Sequence, residues 1–217
     1  MYRVESLAEK VADGTIHVVG ISLGIAAVIT FAVVLWGTPD IGRVVSVFLY
    51  AGTLMAMLVC SALYNMLGRD HEAGVLRRLD HAAIFLLIAG TYTPLAAMII
   101  GGWTGSILLT IVWVGALTGA TLKLLNMKHV DRVTVPLCLA LGWVVVFAYK
   151  PLLDHATLFG FVMILAGGLL YTIGTIFYSW KKLPFQNAIW HAFVLSAAIC
   201  HFTAVLYEVA LPSGVIT

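Results

Sequence analysis

The stretch IHVVGISLGIAAVITFAVVLW, residues 16–36, decides the fold because it runs for 21 residues without an Asp, Glu, Lys or Arg. About 20 apolar residues are what an α-helix needs to cross roughly 30 Å of hydrocarbon. The run is too long for the apolar region of a signal peptide, and it lacks a clear small-residue cleavage site. We therefore interpret it as a retained first membrane helix.

Six further apolar runs of similar length follow the first, separated by short connections. The sequence therefore predicts an all-α integral membrane protein, a seven-transmembrane-helix bundle in which residues 1–217 form a single domain. The predicted spans are 16–36, 42–66, 80–100, 104–125, 132–149, 156–180 and 188–210.

The composition excludes the ordinary soluble classes. Hydrophobic residues make up 62% of the chain and charged residues 10%, whereas soluble domains average about 45–50% apolar and about 25% charged. The net charge of +2 gives no reason to expect a nucleic-acid partner. Cys60, Cys138 and Cys200 lie inside apolar runs without metal-finger spacing. We predict neither a disulfide framework nor a thiolate metal site.

Positive charges fall mostly on one side of the predicted bundle. The N-terminal segment and the second, fourth and sixth connections carry ten Lys and Arg residues, and the other side carries only Arg43 and Lys150. Because Lys and Arg accumulate in cytoplasmic loops, we predict a cytoplasmic N-terminus and a C-terminus outside.

Polar side chains from four spans fall at the end of the bundle that this orientation places near the cytoplasm. Ionisable groups at membrane depth usually face a bundle interior or a wet cavity, so their common depth predicts a shared polar pocket. Its predicted members are Glu9, Asp13, His17, Ser61, Asn65, Asp80, His81, Asn187 and His191.

Each of these residues also has a purely structural explanation. A buried histidine can be a hydrogen-bonded packing residue, and an Asn in a membrane helix can bridge two helices. Asp80 can form an interfacial ion pair with Arg77 or Arg78, and Glu9 and Asp13 can favour the N-terminal end of a helix through its dipole. The shared depth is what favours the pocket.

Four stretches of the chain resemble the motifs of a known family. They are EKVADGTIHVVG (9–20), SALYN (61–65), RRLDHAAIFLLIAGTYTP (77–94) and NAIWHAFVLSAAICHF (187–202). In this order they resemble the hemolysin III branch of the progestin and adipoQ receptor (PAQR) family, which is related to alkaline ceramidase-type membrane hydrolases. Asp13 stands where the first motif, Glu-x3-Asn-x3-His, has Asn.

The resemblance implies a location and partners as well as a fold. We expect a multi-pass protein of the bacterial inner (cytoplasmic) membrane, with membrane lipids as its partners, and we leave homo-oligomerisation open.

The resemblance also implies a zinc site of three histidines with an Asp that holds a metal-bound water. At the matching positions this sequence has Asn65, Asn187, His191 and Asp80. An Asn carbonyl oxygen is a neutral, hard donor that suits zinc poorly. The family therefore predicts zinc, whereas these residues predict that it is absent or weakly bound. We expect Asn65 and Asn187 to form hydrogen bonds across the pocket with Asp80, Ser61 and His191 instead.

Three functions remain open at this point. The altered ligand positions favour a receptor-like or membrane-homeostasis role without catalysis. The family relationship favours a zinc-dependent lipid amide or ester hydrolase of ceramidase type, with Asp80 as general base and Ser61 as a second catalytic candidate. In that case His17, His191 and Asp80 form a substitute ligand set. A haemolytic pore is least favoured, because the sequence has no secretion signal.

Overall fold

The computed structural model describes residues 5–68, 74–126 and 130–211, without the side chains of residues 68 and 130–132. Within these ranges the chain is helical and contains no strand, and seven helices are long and apolar enough to cross a membrane. The predicted all-α, seven-helix membrane bundle is confirmed. Of the charges used for the orientation, Arg3, Arg69 and Lys128 lie outside the described residues.

The seven spans are built from eight α-helices. The fifth span contains two of them, α5 and α6, joined by a 3₁₀ turn (Val144–Ala148). Single π-helical turns extend α2, α3 and α8 (Tyr64–Gly68, Leu95–Ile100 and Leu206–Ala210). The helices are α1 (Leu7–Val34), α2 (Ile41–Leu63), α3 (Gly74–Pro94), α4 (Gly102–Leu124), α5 (Val130–Gly142), α6 (Tyr149–His155), α7 (Leu158–Ser179) and α8 (Gln186–Val205).

The first helix begins nine residues before the predicted start at residue 16. Ser6 caps it: the Ser6 hydroxyl accepts the Glu9 N–H (3.3 Å), and the Glu9 carboxylate accepts the Ser6 N–H (2.8 Å). This reciprocal arrangement satisfies two backbone donors at a helix start. His17 therefore lies inside α1 and not at its start, because the helix that follows the capping box has more than two turns before the predicted span. Glu9, Asp13 and His17 consequently lie on one face of the same helix.

Two other predicted boundaries also change. The third helix begins at Gly74 instead of residue 80, so Asp80 and His81 lie inside it and do not open it. The fifth span continues to His155, beyond the predicted 149. Pro151 allows this extension because it falls in the first turn of α6, where the missing backbone N–H has no helical partner to lose. The remaining boundaries agree with the prediction to within two residues.

The third span forms the centre of the bundle, since two-thirds of its apolar window is buried. Its neighbours α2 and α4 approach it closely where a glycine replaces a side chain. A Cβ atom on Gly90 would lie 2.9 Å from the Cβ of Thr53, and one on Gly119 would lie 2.5 Å from the Phe85 ring. α8 packs on α7 and α1. The chain thus brings its first and last helices together beside the central one.

The substitution Gly105→Ala tests this packing at a point where the neighbour cannot move aside. The new Cβ would lie 2.2 Å from the backbone carbonyl oxygen of Ala96, and overpacking of this kind costs about 1–3 kcal/mol. We expect a lower apparent Tm, measured as the fraction of protein that stays monodisperse in detergent after heating. Gly52→Ala is the control, because its Cβ has nothing within 4 Å. An unchanged Tm for Gly105→Ala would contradict the predicted contact.

Candidate functional site

A cavity of about 770 Å³ opens at the end of the bundle where α1, α3 and α8 begin, which we call the polar end. It lies among α2, α3, α5, α7 and α8, with the start of α1 at its edge. Seven of the nine residues predicted for the pocket line it: Glu9, Ser61, Asn65, Asp80, His81, Asn187 and His191. Of the described residues in that prediction, Asp13 and His17 lie outside the lining.

Acidic residues in the first turn of α1 and just before it form hydrogen bonds with the start of α8. Asn187 donates a side-chain hydrogen bond from its amide nitrogen to the Glu5 carboxylate. Four residues later, in the first turn of α1, the Glu9 carboxylate accepts the backbone N–H of Phe185 (2.7 Å). Phe185 has a left-handed backbone conformation (φ 56°) and no capping side chain of its own. Glu9 therefore satisfies a backbone donor at the helix start, where a negative charge is also favourable.

The third acidic position along α1 contacts two histidines. Asp13 Oδ1 lies 2.5 Å from His191 Nδ1, and Asp13 Oδ2 lies 3.8 Å from His17 Nε2. The two imidazole ring centroids are 4.5 Å apart. The exposed fractions are 1% for Asp13, 6% for His17 and 8% for His191. These three side chains, which we call the Asp–His–His cluster, could hold a metal ion, since one ligand atom from each lies within 4.8 Å of the others.

Asn65 has one of the expected partners, whereas Asn187 has a different one. Asn65 donates to the carbonyl oxygen and the hydroxyl of Ser61 (2.9 and 3.3 Å), which is one turn earlier on its own helix. Asn187 reaches Glu5, which precedes the Ser6 cap of α1. The predicted partnership of Asn65 with Ser61 is present, but it runs along a helix and not across the pocket. The prediction does not include Glu5, which lies before the motif at residues 9–20.

A buried lysine contacts one of the residues that line the cavity. Lys123, near the end of α4, is only 4% exposed, and its Nζ lies 3.2 Å from Nδ1 of His81. An ammonium has only donors, so a protonated Lys123 donates to Nδ1 of His81. Asp80, the residue before His81, is also buried and lines the cavity. The sequence signal for Lys123 is a basic residue at the end of an apolar run, which the charge count assigns to the fourth connection.

The residues at the family's zinc position do not fit a tightly held zinc ion. Asn65, Asn187, His191 and Asp80 face one cavity, so the positions do converge. Zinc in proteins is bound by thiolate, imidazole and carboxylate groups, and this set offers one imidazole and one carboxylate. Both Asn side chains donate to neighbours and can offer zinc only a neutral carbonyl oxygen.

Comparison with known proteins identifies the family. The sequence profile described as "Haemolysin-III related" matches residues 6–202. The chain belongs to this family. It is 35% identical to Hemolysin-3 of Bacillus cereus over 206 residues, which are 95% of this chain and 94% of that protein. It is 34% identical to the Hemolysin-3 homolog of Bacillus subtilis (strain 168) over 202 residues, which are 93% and 95% of the two chains.

A more distant relative lies in the PAQR branch suggested by the sequence. The chain is 25% identical to the human monocyte to macrophage differentiation factor over 177 residues, covering 77% of this chain and 72% of that protein. No solved structure gives a significant match. The family is therefore established, whereas the role of the polar end has to be argued from its residues.

The substitution Glu9→Ala tests how much the polar end depends on α1. It removes two hydrogen bonds accepted by a buried carboxylate, from Ser6 and Phe185. Hydrogen bonds to charged groups contribute about 1.5–3 kcal/mol each, and for a chain of this size 1 kcal/mol corresponds to about 2–4 °C. We expect the apparent Tm in detergent to fall by about 6 °C or more.

The control for Glu9→Ala is Asp154→Ala, which removes an exposed carboxylate on α6 and should leave the apparent Tm within about 1 °C. Limited proteolysis of the connection between α7 and α8 should also become faster in Glu9→Ala. Equal Tm values for the two variants would contradict the proposed tie between the helices.

Proposed function

We propose that this protein is a receptor-like membrane protein that binds one amphipathic lipid, with the polar head in the cavity at the polar end. The observation that carries the proposal is a second, apolar cavity of about 220 Å³ that adjoins the first and extends towards the opposite end of the bundle. The two cavities share six lining residues: Ile84, Leu87, Cys138, Tyr171, Thr175 and Trp190.

The change in lining along the two cavities supports an amphipathic ligand. The first contains carboxylates, imidazoles, amides and the cations Arg77 and Lys181. Beyond the shared residues the lining becomes aliphatic and aromatic, with Leu95, Ile100 and Phe161 among its members. Binding sites of this kind combine a largely apolar wall with a few polar groups that orient the ligand. The small apolar cavity favours a single acyl chain.

The charges in the first cavity support a zwitterionic head group. Glu5, Glu9 and Asp80 can face a ligand ammonium, and Arg77 and Lys181 can face a phosphate. A head group with only a positive or only a negative charge would face protein charges of its own sign, which is unfavourable. We therefore propose a single-chain zwitterionic phospholipid as the ligand class.

The polar end is proposed to face the cytoplasm of a bacterial cell. The asymmetry of Lys and Arg supports this orientation, and the two Bacillus relatives support a bacterial inner membrane. In this arrangement the head-group cavity lies at the level of the inner leaflet. A receptor-like or homeostatic role then means that the protein responds to lipids of that leaflet.

A lipid hydrolase is the second candidate, and one observation favours it. Asp80 and Ser61 are both buried and both line the head-group cavity, so a bound ester or amide would have a carboxylate base and a hydroxyl beside it. Loss of lipid hydrolysis in both Asp80→Ala and Ser61→Ala, with lipid binding retained, would move the function to this class.

Lipid binding is tested by native mass spectrometry of the purified protein with lysophosphatidylethanolamine, lysophosphatidylglycerol and palmitate as probes. We expect the zwitterionic probe to bind most tightly. Gly168 lines the apolar cavity, so Gly168→Leu should fill part of it and weaken binding about 10-fold or more. Gly52→Leu is the matched control on an open helix surface and should bind normally. Probe binding no tighter than bulk phospholipid would refute the proposal.

The orientation is tested with fusions to the C-terminus. We expect alkaline phosphatase fused there to be active and green fluorescent protein fused there to be dark, because both outcomes require an external C-terminus. The opposite pair of results would place the polar end in the outer leaflet. Fusions placed after Gly37, in the connection before α2, serve as a comparison. The same outcome is expected there, because both positions follow an odd-numbered span.

A further inference from the structure

The Asp–His–His cluster has the composition of a metal site and shares only His191 with the position that the family resemblance indicates. Asp13 and His17 come from α1 and His191 comes from α8. Asp13 and His17 lie outside the lining of the head-group cavity, whereas His191 belongs to both groups. The proposed lipid-binding function therefore does not use Asp13 or His17, the two cluster residues that are substituted in the test.

The distances in the cluster suit coordination after small side-chain rotations. Ligand atoms at 2.0–2.2 Å from a tetrahedral ion lie about 3.4 Å from one another. The candidate atoms of Asp13, His17 and His191 already lie within 4.8 Å, and His17 Nε2 is 3.8 Å from Asp13 Oδ2. Asp13 Oδ1 meanwhile contacts His191 Nδ1, which fixes the orientation of that ring.

The electrostatics of the cluster favour a cation. Asp13 is almost fully buried, and Glu9 lies one turn earlier on the same face with 5% exposure. Buried carboxylates in a membrane protein are costly without positive partners. A divalent ion held between two neutral imidazoles supplies two positive charges, whereas protonation of one imidazole supplies one.

The donor set defines the class of metal. Two imidazoles and one carboxylate are the protein ligands of many catalytic zinc sites and of non-haem iron sites, whereas Mg²⁺ and Ca²⁺ prefer oxygen donors. We propose that Asp13, His17 and His191 bind one divalent transition-metal ion, at a site displaced from the Asn65–Asn187 position towards α1. The ion would tie α1 to α8 beside the head-group cavity.

The experiment measures Zn²⁺ per chain in protein stripped with a chelator and then titrated with Zn²⁺. We expect about one tightly bound ion. Asp13→Asn and His17→Gln should each weaken Zn²⁺ binding about 100-fold or more, because loss of a ligand exceeds the 10–100-fold typical of an outer-shell change. His155→Gln is the matched control: it removes an exposed imidazole at the other end of the bundle and should leave the content unchanged.

Two further measurements separate metal binding from folding. Co²⁺ in place of Zn²⁺ should give visible absorption that disappears in His17→Gln. Adding Asn65→His and Asn187→His to the Asp13→Asn variant restores three imidazoles at the family position and should recover Zn²⁺, which shows that the variant is folded.

His17 is the residue that decides between the two sites. Zinc retained in His17→Gln but lost in Asp80→Asn would overturn the proposal and place the ion in the cavity. A Zn²⁺ content in the unmodified chain no higher than in Asp13→Asn and His17→Gln would also overturn it and leave the cluster as a hydrogen-bonded packing group. Either result leaves the lipid-binding measurements unaffected, so the two proposals can fail separately.

Discussion

The hydrogen bond between Asp13 and His191 joins residues 178 positions apart in the sequence, and the rest of the polar end depends on it. It fixes the first helix against the last, and no covalent link does so, since the three cysteines are free. A carboxylate at membrane depth needs a partner, and the partner here is on the most distant helix in the chain. The contact that brings α1 against α8 is therefore also the contact that gives the buried Asp13 carboxylate its partner.

Two further contacts lie on the N-terminal side of this hydrogen bond. Glu9 and Asp13 are four residues apart on α1, so both present their carboxylates to the same neighbour. Glu9 meets the backbone of Phe185, and Glu5, which precedes the Ser6 cap, meets Asn187. Two acidic residues thus occupy a face of α1 that, in a helix surrounded by lipid, would have to be apolar. The free-energy cost of burying these carboxylates is offset because α8 begins there and its backbone N–H groups need acceptors.

The cavity at the polar end is a consequence of how the remaining helices surround this pair. α8 and α1 are held together at one side, and α3 brings Asp80 and His81 from the other, with Lys123 behind them. The space between contains charges of both signs and shares six lining residues with an apolar cavity. Such a space suits a molecule with a polar and an apolar part, and this match underlies the proposed lipid ligand. The family alone does not supply it, because the relatives' names state no ligand.

The sequence by itself determined the all-helical class, the seven spans and the family. These depend on local properties: the length of an apolar run fixes whether a helix can cross the bilayer, and four motifs in order indicate the family. It also gave the common depth of the polar residues, seven of which line one cavity. It misplaced the starts of α1 and α3, since a capping box or a short polar segment extends a helix without changing its apolar run.

Only the tertiary structure decided which polar groups meet. Helical spacing places Asp13 and His17 on one face, but the rotation of α1 relative to α8 decides that this face contacts His191 and that Asn187 reaches Glu5. That rotation results from packing among several helices, including the close approach of glycines to their neighbours. Because the rotation depends on contacts between helices far apart in the chain, no pattern within one helix predicts it.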